Sequence, residues 1–228
     1  MLRKYIQRAL LIMAFFVLLT PYSAVSKQGE TINPRGNLPD DIFERGGVME
    51  FGIVREISTV EFVGTSLMHH FHGVSNEPTG FTRLSFKSPE YASSEIAIPV
   101  NSITGFALGS EKSDLTKNIH MNLESDKFPD INLKIKQVLP ERSGTGPGKR
   151  RFLAKGDLTI HNVTRSLIFT ADMDVKDGYL HITGEYDSLN MGDFGVKPKP
   201  LMALVKVGDL VDVKFDIYEA LKGNETLK

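Results

Sequence analysis

The stretch 156–169, GDLTIHNVTRSLIF, limits what this chain can fold into more than any other. Read with period two, Phe152, Ala154, Leu158 and Ile160 share one face, while Lys155, Asp157 and Thr159 share the other. After His161, Asn162 and Val163 the alternation restarts: Leu167, Phe169, Ala171, Met173 and Val175 stand against Arg165, Ser166, Thr170, Asp172 and Asp174. Successive side chains of an extended chain point to opposite faces, so this pattern marks two half-buried strands. The tight connection makes them a β-hairpin, and asparagine is one of the few non-glycine residues that tolerate the positive φ of such a turn.

Similar runs flank the hairpin at short intervals. Met49, Phe51 and Ile53 alternate in the first, and Val60 and Phe62 in the second. That second run continues past Gly64 to His72 and a turn near 75–80. Leu84 and Phe86 mark a returning strand, and Ile96, Ile98 and Val100 another, with Pro99 signalling an edge or bulge near its end. Between 110 and 126 the period changes. Ser113 or Asp114 is the expected cap of a short helix carrying Leu115, Ile119 and Leu123.

Ile131, Leu133 and Ile135 then alternate with Asn132, Lys134 and Lys136, and a glycine-rich loop at 143–148 leads into the central hairpin. Beyond Asp177-Gly178 come Leu180, Ile182, Gly184 and Tyr186, and the last strand turns Val211, Val213, Phe215 and Ile217 inward. About nine alternating segments with turn signals between them describe an all-β barrel or sandwich, not an α/β enzyme core.

The first residues do not belong to this pattern. Arg3, Lys4 and Arg8 precede an apolar run at 9–19 that is too short to span a bilayer, and Tyr22-Ser23-Ala24 offers a small-residue cleavage site. Residues 1–24 therefore read as a cleaved signal peptide, and the mature protein is expected to be periplasmic or secreted, without a transmembrane span. Removing Arg3, Lys4 and Arg8 leaves 24 basic residues against 28 acidic ones, a net charge of −4 that argues against a nucleic-acid partner. There is no cysteine, so neither a disulfide nor a lipobox-type anchor is available. Residues 25–47 are polar, interrupted by proline and glycine, and read as a flexible leader.

Chemistry-bearing motifs are sparse. His69, His70, Phe71 and His72 form the one cluster suited to a metal, because His70 and His72 point the same way on a strand. A third ligand must then come from elsewhere, with His120, His161 and His181 remaining; the alternative is a pair of solvated histidines at a barrel rim. No G-x-S-x-G elbow is present, and the glycines at 144–148 lack P-loop spacing. The residues thus point to no catalytic group, no metal ligand set and no cofactor. What remains is the barrel interior, which either packs solid or encloses one apolar ligand.

Five stretches in consistent order resemble the YceI-like family, periplasmic lipocalin-like barrels that bind polyisoprenoid lipids. They are L-T-I-H-N-V-T-R at 158–165, the link at 123–131, Asp193-Phe194-Gly195-Val196, Gly208-Asp209-Leu210-Val211, and His69 to Gly73 followed by Gly80. Asn162 stands where the family more often has glycine, and Lys117-Asn118 where it usually shows an Arg-Asp pair ahead of His120-Met121.

The resemblance implies a lipocalin-like antiparallel β-barrel over 48–220 with one short helix inserted between strands, and a C-terminal tail at 221–228. It also implies an amphiphilic lipid ligand, a polyisoprenoid or an isoprenoid quinone, and leaves a homodimer open. The expected ligand wall comprises Phe51 and Phe62, Leu84 and Phe86, Ile131, Leu133 and Ile135, Leu158 and Ile160, Leu167 and Phe169, and Phe215. The expected mouth groups are His70, His72, Asp193 and Phe194. Two other readings stay open: a metal-dependent enzyme built on the histidine cluster, and a packed structural barrel without ligand.

Overall fold

The structure is a computed structural model that describes residues 36, 38–39, 41–66, 70–141, 148–197 and 207–222. Contacts divide the chain into Met1–Pro34 and Arg35–Lys228, and every described residue lies in the second unit. The expected signal peptide, His69, most of the 143–148 loop and the tail beyond Lys222 lie outside the described residues.

Alternation becomes a closed antiparallel barrel of eight staves. Three staves are broken strands. The first joins β1 (Met49–Ile53) to β2 (Thr59–Ser66) through a 3-10 turn at Arg55–Ile57. The second joins β3 (His70–Ser75) to β4 (Thr79–Leu84). The third joins β5 (Ser93–Pro99) to β6 (Thr104–Ala107) through a 3-10 turn at Val100–Ser102. Pro99, which cannot donate to a ladder, sits at that break as its residue type demands.

A two-residue strand β7 (Ser110–Glu111) and helix α1 (Ser113–Asn122) follow. Then come β8 (Asp130–Glu141), β9 (Arg150–Ile160), β10 (Val163–Lys176), β11 (Tyr179–Asn190) and β12 (Val207–Leu221). Each stave pairs with its sequence neighbours. The long β12 closes the ring by pairing with β2 over its first part and with β1 over its last.

The central hairpin has the expected register, with Ile160 opposite Val163. Its turn places two residues in the left-handed region, His161 at φ 54° and Asn162 at φ 58°. That is the geometry whose twist matches right-twisted strands. Asp177 and Gly178 repeat it between β10 and β11.

Helix α1 lies across one end of the barrel and buries Leu115 and Ile119, with Leu123 just past its end. It begins after Lys112 without a side-chain cap, so neither Ser113 nor Asp114 caps it. Tertiary bonds hold it instead. The Gly105 N–H donates to Thr116 Oγ1 at 2.8 Å, and His120 Nε2 donates to the Ile103 carbonyl at 2.8 Å. Val100, Ile103, Phe194 and Val196 complete the buried cluster at this helix end.

The opposite end is closed by the segment read from sequence as a flexible leader. Its described part is docked: Ile42 is fully buried, and Leu38 joins it among Phe51, Leu84, Phe86 and Leu180. Backbone N–H groups of Gly36 and Leu38 donate to the carbonyls of Asp177 and Gly178 at 2.9 and 3.0 Å. Two apolar side chains spaced four apart bury enough surface to order a short segment that carries no periodic signal.

The outer wall is a ladder of charge. Lys136 pairs with Asp157, Arg151 forks onto Asp172 at 2.7 and 2.9 Å, and Arg83 meets Glu50 at 2.8 Å. A barrel that faces lipid carries an apolar band there instead. Among the described residues no helix is long and apolar enough to cross a membrane.

Candidate functional site

Between the two end clusters lies a cavity of about 290 Å³ lined by side chains of all eight staves. Its wall is aliphatic and aromatic over most of its extent. Ten of the twelve residues expected there line it: Phe62, Leu84, Ile131, Leu133, Ile135, Leu158, Ile160, Leu167, Phe169 and Phe215. Phe51 and Phe86 do not. Phe51 packs in the leader-end plug with its ring centroid 6.1 Å from that of Phe86. Phe86 lies beyond the end of β4, in the turn that follows, with its ring edge-on to Phe43 at 4.9 Å.

Three phenyl rings of the wall fold over glycines on the neighbouring strand. Phe62 is paired with Gly73, Phe71 with Gly64, and Phe215 with Gly184. A Cβ on those glycines would come within 2.1, 2.2 and 2.3 Å of the respective rings. Phe169 similarly faces Ala154 across the β9–β10 pair. Each ring therefore lies against the wall over a residue with little or no side chain, which leaves the centre of the barrel open.

None of the four expected mouth residues lines the cavity. Inward positions on β3 are Phe71 and Gly73, so His70 and His72 fall on the outer wall, where His72 Nδ1 pairs with Glu61. Phe194 is buried in the helix-end cluster, held by a 3-10 turn at Met191–Phe194 that ends on Gly195 at φ 74°. Asp193 of the same turn is exposed. The alternation of β3 was legible, but its phase was not, because Phe71 and the two histidines are equally good wall residues by type.

Among the described residues no three His, Cys, Asp or Glu side chains come together in a way that holds a metal ion. His181 lies on the outer wall between Asp174 and Asp216, at 2.8 and 2.7 Å, and stacks on Tyr218.

Sequence reasoning missed several wall residues, Phe71, Thr82, Ser94 and Glu219 among them. Glu219 is fully buried, lines the cavity near the leader end, and lies 2.7 Å from the Thr82 hydroxyl. Burial pushes its carboxyl up to about 8, outweighing the opposing effects of the Thr82 hydrogen bond and the Lys222 charge. The signal was present: the series Val211, Val213, Phe215, Ile217 reaches Glu219 in one more step of two. A carboxylate after four apolar residues reads as the end of a buried run instead of its continuation.

Comparison with known proteins agrees with this architecture. The Burkholderia cenocepacia BcnA structure superposes with a TM-score of 0.59 at 15% identity, over 73% of this chain and 98% of that one. A polyisoprenoid-binding domain from Saccharophagus degradans, implicated in plant cell wall breakdown, also superposes at 0.59, with 10% identity, over 76% and 99%. At such identities the likeness is one of fold. No curated protein matches the chain in sequence. The model of the YceI-like domain, however, matches residues 51–218, from the plug phenylalanine to the outward-facing Tyr218 of the closing strand, so this chain belongs to the YceI-like family.

Proposed function

We propose that the protein is an exported carrier that holds the apolar chain of a polyisoprenoid or a similar amphiphile inside the barrel. The observation that carries the reading is the wall itself: aliphatic and phenyl groups surround about 290 Å³ and are kept out of the centre by glycine and alanine partners. The Saccharophagus degradans neighbour, named for polyisoprenoid binding, supports the same ligand class. An apolar chain in such a site is held by area, with about 0.8 kcal/mol for each methylene removed from water. Ten enclosed carbons thus contribute roughly 8 kcal/mol, which exceeds the low end of the association cost, about 4 kcal/mol. The volume lies near the lower end of ligand pockets, about 300 Å³, so a long isoprenoid is held in part and extends beyond the barrel. Export rests on residues 1–24, which carry the basic start, short apolar run and small-residue end of a signal peptide.

The test is native mass spectrometry of untagged protein from its own host, with organic extraction, N-terminal sequencing and uptake of a fluorescent polyisoprenoid. A start near Val25, a co-purifying amphiphile and saturable uptake are expected. Ala154→Phe, which fills the girdle, should abolish uptake in a folded barrel. Folded wild type that carries no lipid and takes up no probe would leave the packed barrel as the correct reading, and a retained residue 1–24 segment would end the export proposal.

A further inference from the structure

Apolar binding leaves Glu219 without a role. Its Oε1 lies 2.7 Å from Thr82 Oγ1, which lies 3.0 Å from Ser94 Oγ, which donates to the Phe81 carbonyl at 3.1 Å. All three side chains line the cavity. Each hydroxyl has a single proton, so Thr82 cannot donate both to Ser94 and to Glu219. With Ser94 committed to the Phe81 carbonyl, Thr82 donates to Ser94, and Thr82 Oγ1 is left to accept. The donor to it is then a proton on Glu219 Oε1. An ionised carboxylate would claim the Thr82 proton and leave the Thr82–Ser94 contact without one.

With Ser94 bonded to the Phe81 carbonyl, the run closes with Glu219 neutral, in keeping with what burial does to this carboxyl. Oε2 is therefore a carbonyl-type oxygen that accepts and cannot donate. It is buried and has no hydrogen-bond partner among the described residues. An acceptor of this kind in an apolar cavity is matched by a neutral donor. The nearby ammonium of Lys222 is engaged with Glu50 at 2.9 Å. No cation is among the described residues that line the cavity, so an anionic head would be buried there without a counter-charge from them.

We propose, on the basis of the carrier reading above, that Glu219 with Thr82 and Ser94 anchors the hydroxyl head of a long-chain alcohol. The amphiphile then enters head first, donates its O–H to Glu219 Oε2 near the leader end, and lays its chain along the girdle toward the helix end. The head is recognised inside the barrel, and the outward histidines of β3 take no part.

Isothermal titration of the full chain with farnesol and with farnesyl methyl ether separates the anchor from the apolar wall. The two probes share a chain and differ in one donor. Wild type should bind the alcohol about fivefold more tightly than the ether, the effect of one hydrogen bond. Glu219→Gln keeps a neutral carbonyl beside Thr82 and should keep that preference. Glu219→Leu should lose it while still binding the ether, and thermal melts by circular dichroism verify that each variant is folded. Equal binding of alcohol and ether by wild type overturns the anchor and leaves the carrier standing, as does a preference that survives in Glu219→Leu. Folded wild type that binds neither probe overturns both.

Discussion

The leader-end plug and the girdle around the cavity are built from the same kinds of inward residue, yet one is solid and the other hollow. Phe51 in the plug is completely buried among Leu84, Phe86 and Leu180, while Phe215 on the same inner surface borders open volume. Two differences separate them. The plug receives side chains from outside the staves, Leu38 and Ile42 from the leader and Phe86 from a turn. Among the described residues the leader adds none to the cavity wall, and opposite the girdle's rings stand Gly73, Gly64, Gly184 and Ala154. Both regions are mainly apolar, and they differ in the side-chain volume presented inward. A barrel interior becomes a ligand site where the sequence withholds volume.

The largest expected effect tests that contrast directly. Phe51→Ala leaves a hole in a packed cluster and should cost about 3–5 kcal/mol in urea unfolding. Phe215→Ala enlarges a space that already exists, forfeits fewer contacts, and should cost roughly half as much. Equal losses would mean that the girdle is as tightly packed as the plug.

Next comes the carboxyl at the boundary between the two regions. Glu219 has a folded pKa of about 8 against an ordinary 4.5, so the folded state binds the extra proton between those values. Its stability contribution is complete below about pH 4.5 and is lost as pH rises to about 8. Measured against Glu219→Gln, wild type should lose up to about 1.4 kcal/mol per pH unit across that window. Parallel stability curves for the two proteins would show that the carboxyl is not desolvated.

The smallest effect sharpens the comparison from the hollow side. Ala171→Val adds two methyl groups beside the cavity, where over-packing is avoided, and should change stability by less than about 1 kcal/mol in urea melts. A loss near 3 kcal/mol would place Ala171 in a filled core.

Much of this was legible in the chain. The strict alternation of Phe152, Ala154, Leu158 and Ile160 fixed which face of the hairpin is inner, because a one-residue slip would have exposed them all. The helix at 113–122 announced itself by a change of period. The binding reading was legible only as a choice, since inward aliphatic residues alone serve a packed barrel and a hollow one equally. Failures came where local pattern is silent: Ile42 and Leu38 have no periodic neighbours, and His70 and His72 sit in a run whose phase depends on β2.

By itself the sequence determined the long strands, the inner face of the central hairpin, the tight turns at His161-Asn162 and Asp177-Gly178, and the membership signalled by residues 51–218. Those are properties of neighbours along the chain, set by side-chain alternation and turn chemistry. Tertiary structure alone decided that Phe62 would lie over Gly73, that the leader would close one end, and that Glu219 would meet Thr82 and Ser94 from strands more than a hundred residues away. The Glu219 contact follows from ring closure, which brings β12 against β1 and sets β4 and β5 beyond it. No local period carries that information, because the volume left at the centre of a barrel depends on what each stave presents to all the others.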